Sequence, residues 1–209
     1  MKRAVLMIIC CFVVFLSNAT DPGLKKRILI VGFSSSYFNS NSFETIAEGN
    51  GIHEDSIFRL VNNKLLETLT QELNSNFEYL PVEDLRSISS DTQTSFYYVL
   101  PVRENDITSV QINELDIKRL CEFYDVDVIM FINSYELNWE EDPYVTYLHT
   151  IDSEMFTKSG EKIIAERISF MLDDVTLKEK YSNKLSKQLS KALKKLEKIG
   201  TGSDAFVNK

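Results

Sequence analysis

Two short runs, Ile28-Leu29-Ile30-Val31-Gly32-Phe33 and Val126-Asp127-Val128-Ile129-Met130-Phe131-Ile132, are apolar almost without alternation. A strand of that kind has to be covered on both faces, which demands a layered α/β domain with those strands at the centre of a sheet. The first run is followed by a helical pattern that Asp55 or Ser56 can cap. Its apolar positions are Ile57, Leu60, Val61, Leu65, Leu69 and Leu73. Asn74-Ser75-Asn76 ends that helix, and Phe77-Glu78-Tyr79-Leu80 reads as a short strand stopped by Pro81. The result is a β-α-β unit, whose crossover is expected to be right-handed and its strands parallel.

The remaining segments fall into place around this unit. Ser34 to Gly51, rich in Ser and Asn, reads as a long loop. Residues 83–113 read as an irregular insert, with a possible helical turn at Asp84–Ser90 and an extended segment at Phe96–Leu100 ending at Pro101. Ile112, Leu115, Leu120, Cys121 and Tyr124 suggest a helix leading into the second central strand. Tyr144 to Phe156 then alternates, with Val145, Tyr147, Ile151 and Met155 on one face and Thr146, Thr150, Asp152 and Glu154 on the other. Lys158-Ser159-Gly160 supplies a tight turn, and Glu161 to Met171 returns antiparallel. Leu177, Tyr181, Leu185, Leu189, Leu193, Leu196 and Ile199 form one stripe of a long helix closed by Gly200. The expected fold is α/β: a mixed sheet of about five strands in the order β-α-β, insert, α-β-β-β-α, covered by about three helices.

The amino terminus has a separate role. Met1-Lys2-Arg3, the apolar run Ala4–Leu16 and Ser17-Asn18-Ala19 have the basic, hydrophobic and small-residue parts of a secretory signal. The run is shorter than the roughly 20 apolar residues a membrane span needs. Residues 1–19 are therefore expected to be removed near Ala19, leaving one α/β domain over 20–200 and a frayed tail over 201–209. Lipid attachment at Cys10 or Cys11 is the lesser reading, because Ile9 and Cys10 precede them where a small residue is wanted. A retained amino-terminal anchor is a comparable alternative. These features predict export out of the cytoplasm.

Charge restricts the partners. Without Lys2 and Arg3 the 23 basic residues fall to 21 against 31 acidic ones, a net charge of −10. Eight lysines and two glutamates between Thr176 and Ile199 make that segment +6, so the rest of the mature chain carries −16. An acidic balance argues against nucleic acid as a partner. Cys121 is left without a cysteine to pair with, and its place beside Leu120 in a helical pattern suits a buried thiol.

One family resemblance accompanies these residues. The strand Arg27–Phe33, the helix entering Tyr124-Asp125-Val126-Asp127-Val128-Ile129-Met130, and the hairpin Thr146–Ile168 turning at Thr157-Lys158-Ser159-Gly160-Glu161-Lys162 carry it. The pattern resembles the periplasmic α/β domain of the TolB amino-terminal domain and of curli-secretion CsgG-type envelope lipoproteins. The resemblance implies assembly and scaffolding in a bacterial envelope and transfers no catalytic residue. The unfavourable lipid-attachment context and the lack of a following propeller-type domain depart from the family and point away from pore formation.

Candidate sites are few. Ser34-Ser35-Ser36-Tyr37 follows the first central strand, where open α/β sheets often bind ligands. The 34–51 loop could therefore contact a small molecule, a glycan or a partner. With His53 as base, a serine there would give a hydrolase, but neither a Gly-x-Ser-x-Gly turn nor a phosphate-cradling glycine loop is present. His53 beside Glu54 and Asp55 reads as a solvated helix start, and His149 as a packing histidine on an apolar strand face. Trp139 and Tyr144 flank Glu140-Glu141-Asp142 and could rim a contact patch, while the three acids read as a solvated turn. Lys187, Lys191 and Lys194 could meet an acidic surface, either a second copy or anionic lipid headgroups. No metal or cofactor is expected, and the favoured function is non-catalytic envelope interaction, with an envelope protein or self-association as partner and membrane contact without a span.

Overall fold

The computed structural model describes residues 25–71, 77–84, 102–104, 107–109, 112–141, 145–188 and 190. The chain forms β1 (Lys26–Val31), β2 (Phe38–Ser40), α1 (Phe43–Asn50), α2 (Ile57–Gln71), β3 (Phe77–Val82), β4 (Val102–Glu104) and β5 (Ile107–Ser109). These are followed by α3 (Glu114–Tyr124), β6 (Val128–Glu140), β7 (Thr146–Thr157) and β8 (Lys162–Leu172). A fourth helix, α4, begins at residue 179 and is described through 188. The architecture is α/β with an open mixed sheet in the order β3-β1-β6-β7-β8. Strand β2 is also paired to β6, and β4-β5 form a separate ribbon. The sheet has six strands rather than about five, because β2 is additional.

Strand β1 lies between β3 and β6 and is parallel to both, while β6, β7 and β8 are antiparallel neighbours. Ile28 and Ile30 enter one core with α1, α2 and α4, and Leu29 and Val31 enter a second core with α3. Both faces of β1 are therefore buried, as its unbroken apolar run requires. Truncating Ile30, which is fully buried, to Ala is expected to cost about 2–4 kcal/mol. Urea unfolding at constant m-value measures the loss, and a change below half that range would move β1 away from the centre.

The helices follow from local signals. In α2, Ile57, Val61, Leu65 and Leu69 recur every fourth residue and are all fully buried. Asn113 caps α3 by accepting the Asp116 N–H, and Asp125 ends it in the left-handed region at φ 50°. Arg27 holds that turn to β1, donating to the Asp125 carbonyl at 2.6 Å and to its carboxylate at 2.8 Å. Ile117, Leu120 and Cys121 face inward, whereas Leu115, expected in the same apolar set, is exposed. In α4, Tyr181 and Leu185 are buried as their stripe requires. Leu189, Leu193, Leu196, the Phe96–Leu100 segment, the tail and the signal region lie outside the described residues.

Two expectations are corrected. Ser34–Gly51 is not a long loop: it folds into a 3-10 turn at Ser35–Tyr37, strand β2 and helix α1, which Gly51 closes at φ +65°. Side chains hold β2 in place, since Ser40 Oγ donates to the Leu137 carbonyl and the Asn41 amide exchanges two bonds with the Trp139 backbone. The 83–113 insert is not wholly irregular either, because it contributes the β4-β5 ribbon.

Candidate functional site

The densest cluster of buried polar groups lies on the sheet face that β5 approaches. It arises at a bulge in β6. Ile132 pairs with Ser153 and Ser134 with Asp152, so Asn133 is an extra residue. The bulge reverses the alternation: Val128, Met130 and Ile132 share the first core with Tyr135 and Leu137. Ser134 consequently joins Asp152 and Glu154 on the opposite face, where all three are buried.

Every oxygen of the two carboxylates has a donor. Asp152 accepts two bonds from Arg167, at 2.8 and 2.9 Å, one from Ser134 Oγ at 3.1 Å and one from the Thr108 N–H at 2.8 Å. Glu154 accepts from Lys162 at 2.6 Å and from Asn133 Nδ2 at 3.0 Å, and the same amide donates to the Thr108 carbonyl at 2.7 Å. Residue 108 thus has both backbone groups bonded to side chains of the main sheet. The chemistry this arrangement performs is attachment: it fastens the β4-β5 ribbon to β6, β7 and β8. The bidentate guanidinium takes one acceptor site on each Asp152 oxygen, which fixes the carboxylate's orientation. The fastening escaped the sequence reading because Asp152 and Glu154 occupy the polar positions of an alternating strand.

A second buried network lies on the other face. Tyr135 donates to the Tyr181 hydroxyl at 3.2 Å, which uses its single proton. The 2.7 Å contact between Tyr135 and His149 Nδ1 must then carry the imidazole proton, leaving Nε2 unprotonated. Among the described residues Nε2 has no hydrogen-bond partner. The imidazole stacks on Phe170, with centroids 4.8 Å apart and planes 4° from parallel, and burial pushes its pKa down to about 3. His149 is thus a neutral packing group, and burial also raises Tyr135 well above the ordinary phenol range.

The residues singled out from the sequence are not brought together. Ser34 Oγ accepts the Ser36 N–H at 3.4 Å, and the Ser34 carbonyl accepts the Tyr37 N–H, so this serine caps its own turn. His53, instead of Asp55 or Ser56, caps the turn that leads into α2: its Nδ1 accepts the Asp55 N–H at 3.4 Å. The imidazole is exposed, and among the described residues no bond joins it to Ser34, Ser35 or Ser36. Trp139 stands at the end of β6, 39% exposed, opposite Tyr147. Tyr144, Lys191 and Lys194 lie outside the described residues, and Lys187 is exposed on α4.

Near Tyr147 an open depression of about 470 Å³ is lined by Val145, Tyr147, Asp173, Asp174, Val175 and Lys180. None of these belongs to the 34–51 segment. Lys180 pairs with Asp173 across it. Cys121 is fully buried, and its burial pushes the thiol up to about 11, which keeps it protonated and unreactive at neutral pH. Among the described residues no group of three His, Cys, Asp or Glu side chains is placed to hold a metal. No helix among them is long and apolar enough to cross a membrane.

At the carboxyl end of β1, where a doubly wound sheet would open a ligand crevice, the backbone is closed in. A Cβ on Gly32 would lie 2.3 Å from the Glu83 carbonyl oxygen and 2.6 Å from Asn62 Oδ1. Gly32 also donates its N–H to the Val82 carbonyl at 2.9 Å. Close packing of β1, β3 and α2 leaves no room for a side chain at position 32.

No family model and no curated protein matches this chain. Among solved structures it is similar to the hypothetical protein CT253 from Chlamydia trachomatis, at 8% identity and a TM-score of 0.42, over 84% of this chain and 96% of that one. It is also similar to PelC from Paraburkholderia phytofirmans, described as a dodecamer, at 9% identity and a TM-score of 0.35, over 85% of this chain and 94% of that one. At these scores the likeness carries nothing further about what this chain does.

Proposed function

We propose that this chain is an exported, non-catalytic interaction or scaffolding domain of a bacterial cell envelope. The observation that supports this most is the use made of its reactive groups. Ser34 and His53 cap turns at separate places, and each buried carboxylate is bonded at both oxygens within the chain. The amino-terminal pattern Met1–Ala19 supports export, and the strand-and-hairpin resemblance to the TolB and CsgG envelope domains supports the class of role.

Partner binding would use the exposed side chains that packing does not employ. Trp139 and Val145 are exposed at the end of the β6-β7 hairpin, and Lys187 is exposed on α4. Immobilised wild-type chain is expected to retain one discrete partner from its host's envelope extract. Retention should fall as salt rises if the lysines contribute. A fluorophosphonate probe of serine nucleophiles is expected to leave the chain unlabelled. Stoichiometric labelling of Ser34, Ser35 or Ser36 would replace this reading with the hydrolase.

A further inference from the structure

His149 is enclosed where a second proton has no acceptor. The titratable groups facing it are Tyr135 from β6 and Tyr181 from α4, while β8 presents Phe170. Tyr147 and Ile151 flank it along β7. All of these are buried, and among the described residues no carboxylate bonds to the imidazole. Asp173 and Asp174, in the connection from β8 to α4, are exposed and engaged elsewhere. Asp173 pairs with Lys180, and Asp174 accepts the Thr176 N–H. Protonating Nε2 would therefore create an N–H without an acceptor and a charge without a counterion in an aromatic enclosure.

That enclosure has one wall that can move. Backbone ladders join β6, β7 and β8, whereas the first turns of α4 are tied to the sheet and to α2 by hydroxyl pairs, Tyr181 with Tyr135 and Ser182 with Thr68 at 3.1 Å. The connection ahead of α4 is pinned separately. Asn50 donates to the Val175 carbonyl and accepts the Leu177 N–H, each at 3.2 Å, and Val175 lies against Gly49, where a Cβ would come within 2.3 Å of it. Lys178 is thus the first residue beyond a fixed anchor. Between 178 and 188, Lys178, Lys180, Lys184 and Lys187 are set against the single acid Glu179, so the helix is cationic.

We infer that protonation of His149 undocks α4 from the sheet, swinging it at Lys178, while β6, β7 and β8 stay paired. Water then reaches Nε2, and the imidazolium repels the lysine-bearing helix. Opening bares Phe170, Tyr181 and Leu185, apolar surface that the closed domain hides. This device is independent of the interaction-domain reading, and it differs from acid unfolding because the sheet survives.

The sign follows from linkage. Burial holds the closed imidazole near 3, whereas a hydrated one has the ordinary value of 6.5. The neutral form keeps α4 closed above pH 6.5, and opening becomes easier as pH falls below that value. From pH 7 to pH 5 the opened fraction should rise about 25-fold. Asp173 and Asp174 stay ionised over this window, because the Lys180 ammonium and the Thr176 N–H hold them below the ordinary carboxylate range.

Thiol labelling of the full chain carrying S182C tests this. Labelling by a dipyridyl disulfide is read peptide by peptide and scaled at each pH to the urea-unfolded chain. Position 182 should lose about 25-fold of its protection from pH 7 to pH 5. At pH 5 it should label at least about tenfold faster than Cys121, which is sealed in the other core. In S182C/H149F the change at position 182 should be below about threefold. Hydrogen exchange of the wild-type chain, corrected for the intrinsic rate at each pH, makes the comparison without a substitution, setting α4 amides from 182 to 188 against those of β7. One common labelling rate for position 182 and Cys121 at pH 5, or α4 and β7 amides that lose protection together, would mean global unfolding and overturn the proposal. A change at position 182 that persists in S182C/H149F would overturn it too. Should H149F fail to fold, the wild-type exchange still decides, since α4 protection unchanged between pH 7 and pH 5 refutes the device.

Discussion

Replacing Asp152 by Ala is expected to destabilise the domain by about 3 kcal/mol, the low end of the range for breaking a buried ion pair. The carboxylate is 1% exposed and Arg167 27% exposed, so water can recover part of the guanidinium's solvation. The Ser134 hydroxyl and the Thr108 N–H lose their acceptor at the same time. The effect has a local signature, because Thr108 belongs to β5. Its amide should lose hydrogen-exchange protection well before the amides of β6 and β7. The double variant D152L/R167L should recover most of the loss, since the pair is then replaced by apolar groups instead of being broken. A single-variant cost below 1 kcal/mol with Thr108 still protected would show that the ribbon is held by something else.

Acid is expected to act through His149. Its folded pKa lies near 3 against 6.5 in the unfolded chain, so the unfolded state binds the extra proton between those values. Stability from the neutral imidazole is present above about pH 6.5 and is lost as pH falls toward 3, by about 1.4 kcal/mol per pH unit. Denaturant unfolding at pH 7, 6, 5 and 4 gives that slope. In H149F the ring stack on Phe170 is kept and the titration removed, so its stability should fall less steeply over the same window. Tyr135 and Tyr181, which face the imidazole, stay neutral throughout. Parallel slopes for the two proteins would show that His149 accepts its proton in the folded state.

The parts of this fold legible in the sequence are those where burial leaves a period. Ile28–Val31 and Val128–Ile132 are apolar because both faces are covered, and Tyr181 and Leu185 because one helix face is. The turn at Gly160 was marked by its positive φ, which it adopts at 90°. Strand β2 has no such mark: it has three residues, and its attachment depends on the Ser40 and Asn41 side chains reaching β6. The bulge at Asn133 is also silent, because the sequence Phe131-Ile132-Asn133-Ser134-Tyr135 does not announce which face each residue takes. Asp152 and Glu154 were the hardest to interpret. Alternation places them on a polar face, yet their cover includes Thr108, which precedes Asp152 by 44 positions. Nothing local distinguishes a carboxylate facing water from one facing an arginine under a ribbon.

The central claim is that this chain works by contact and that its serines and His53 serve local structure. Photocrosslinking in intact host cells, with a benzophenone amino acid replacing the exposed Trp139, tests it most directly. The measurement is made in the wild-type background and in S34A/S35A/S36A/H53A. The account predicts a discrete adduct with an envelope protein or a second copy, at the same yield in both backgrounds. Absence of any adduct in the wild-type background, or loss of the adduct when those four side chains are removed from a protein that remains folded, would contradict it.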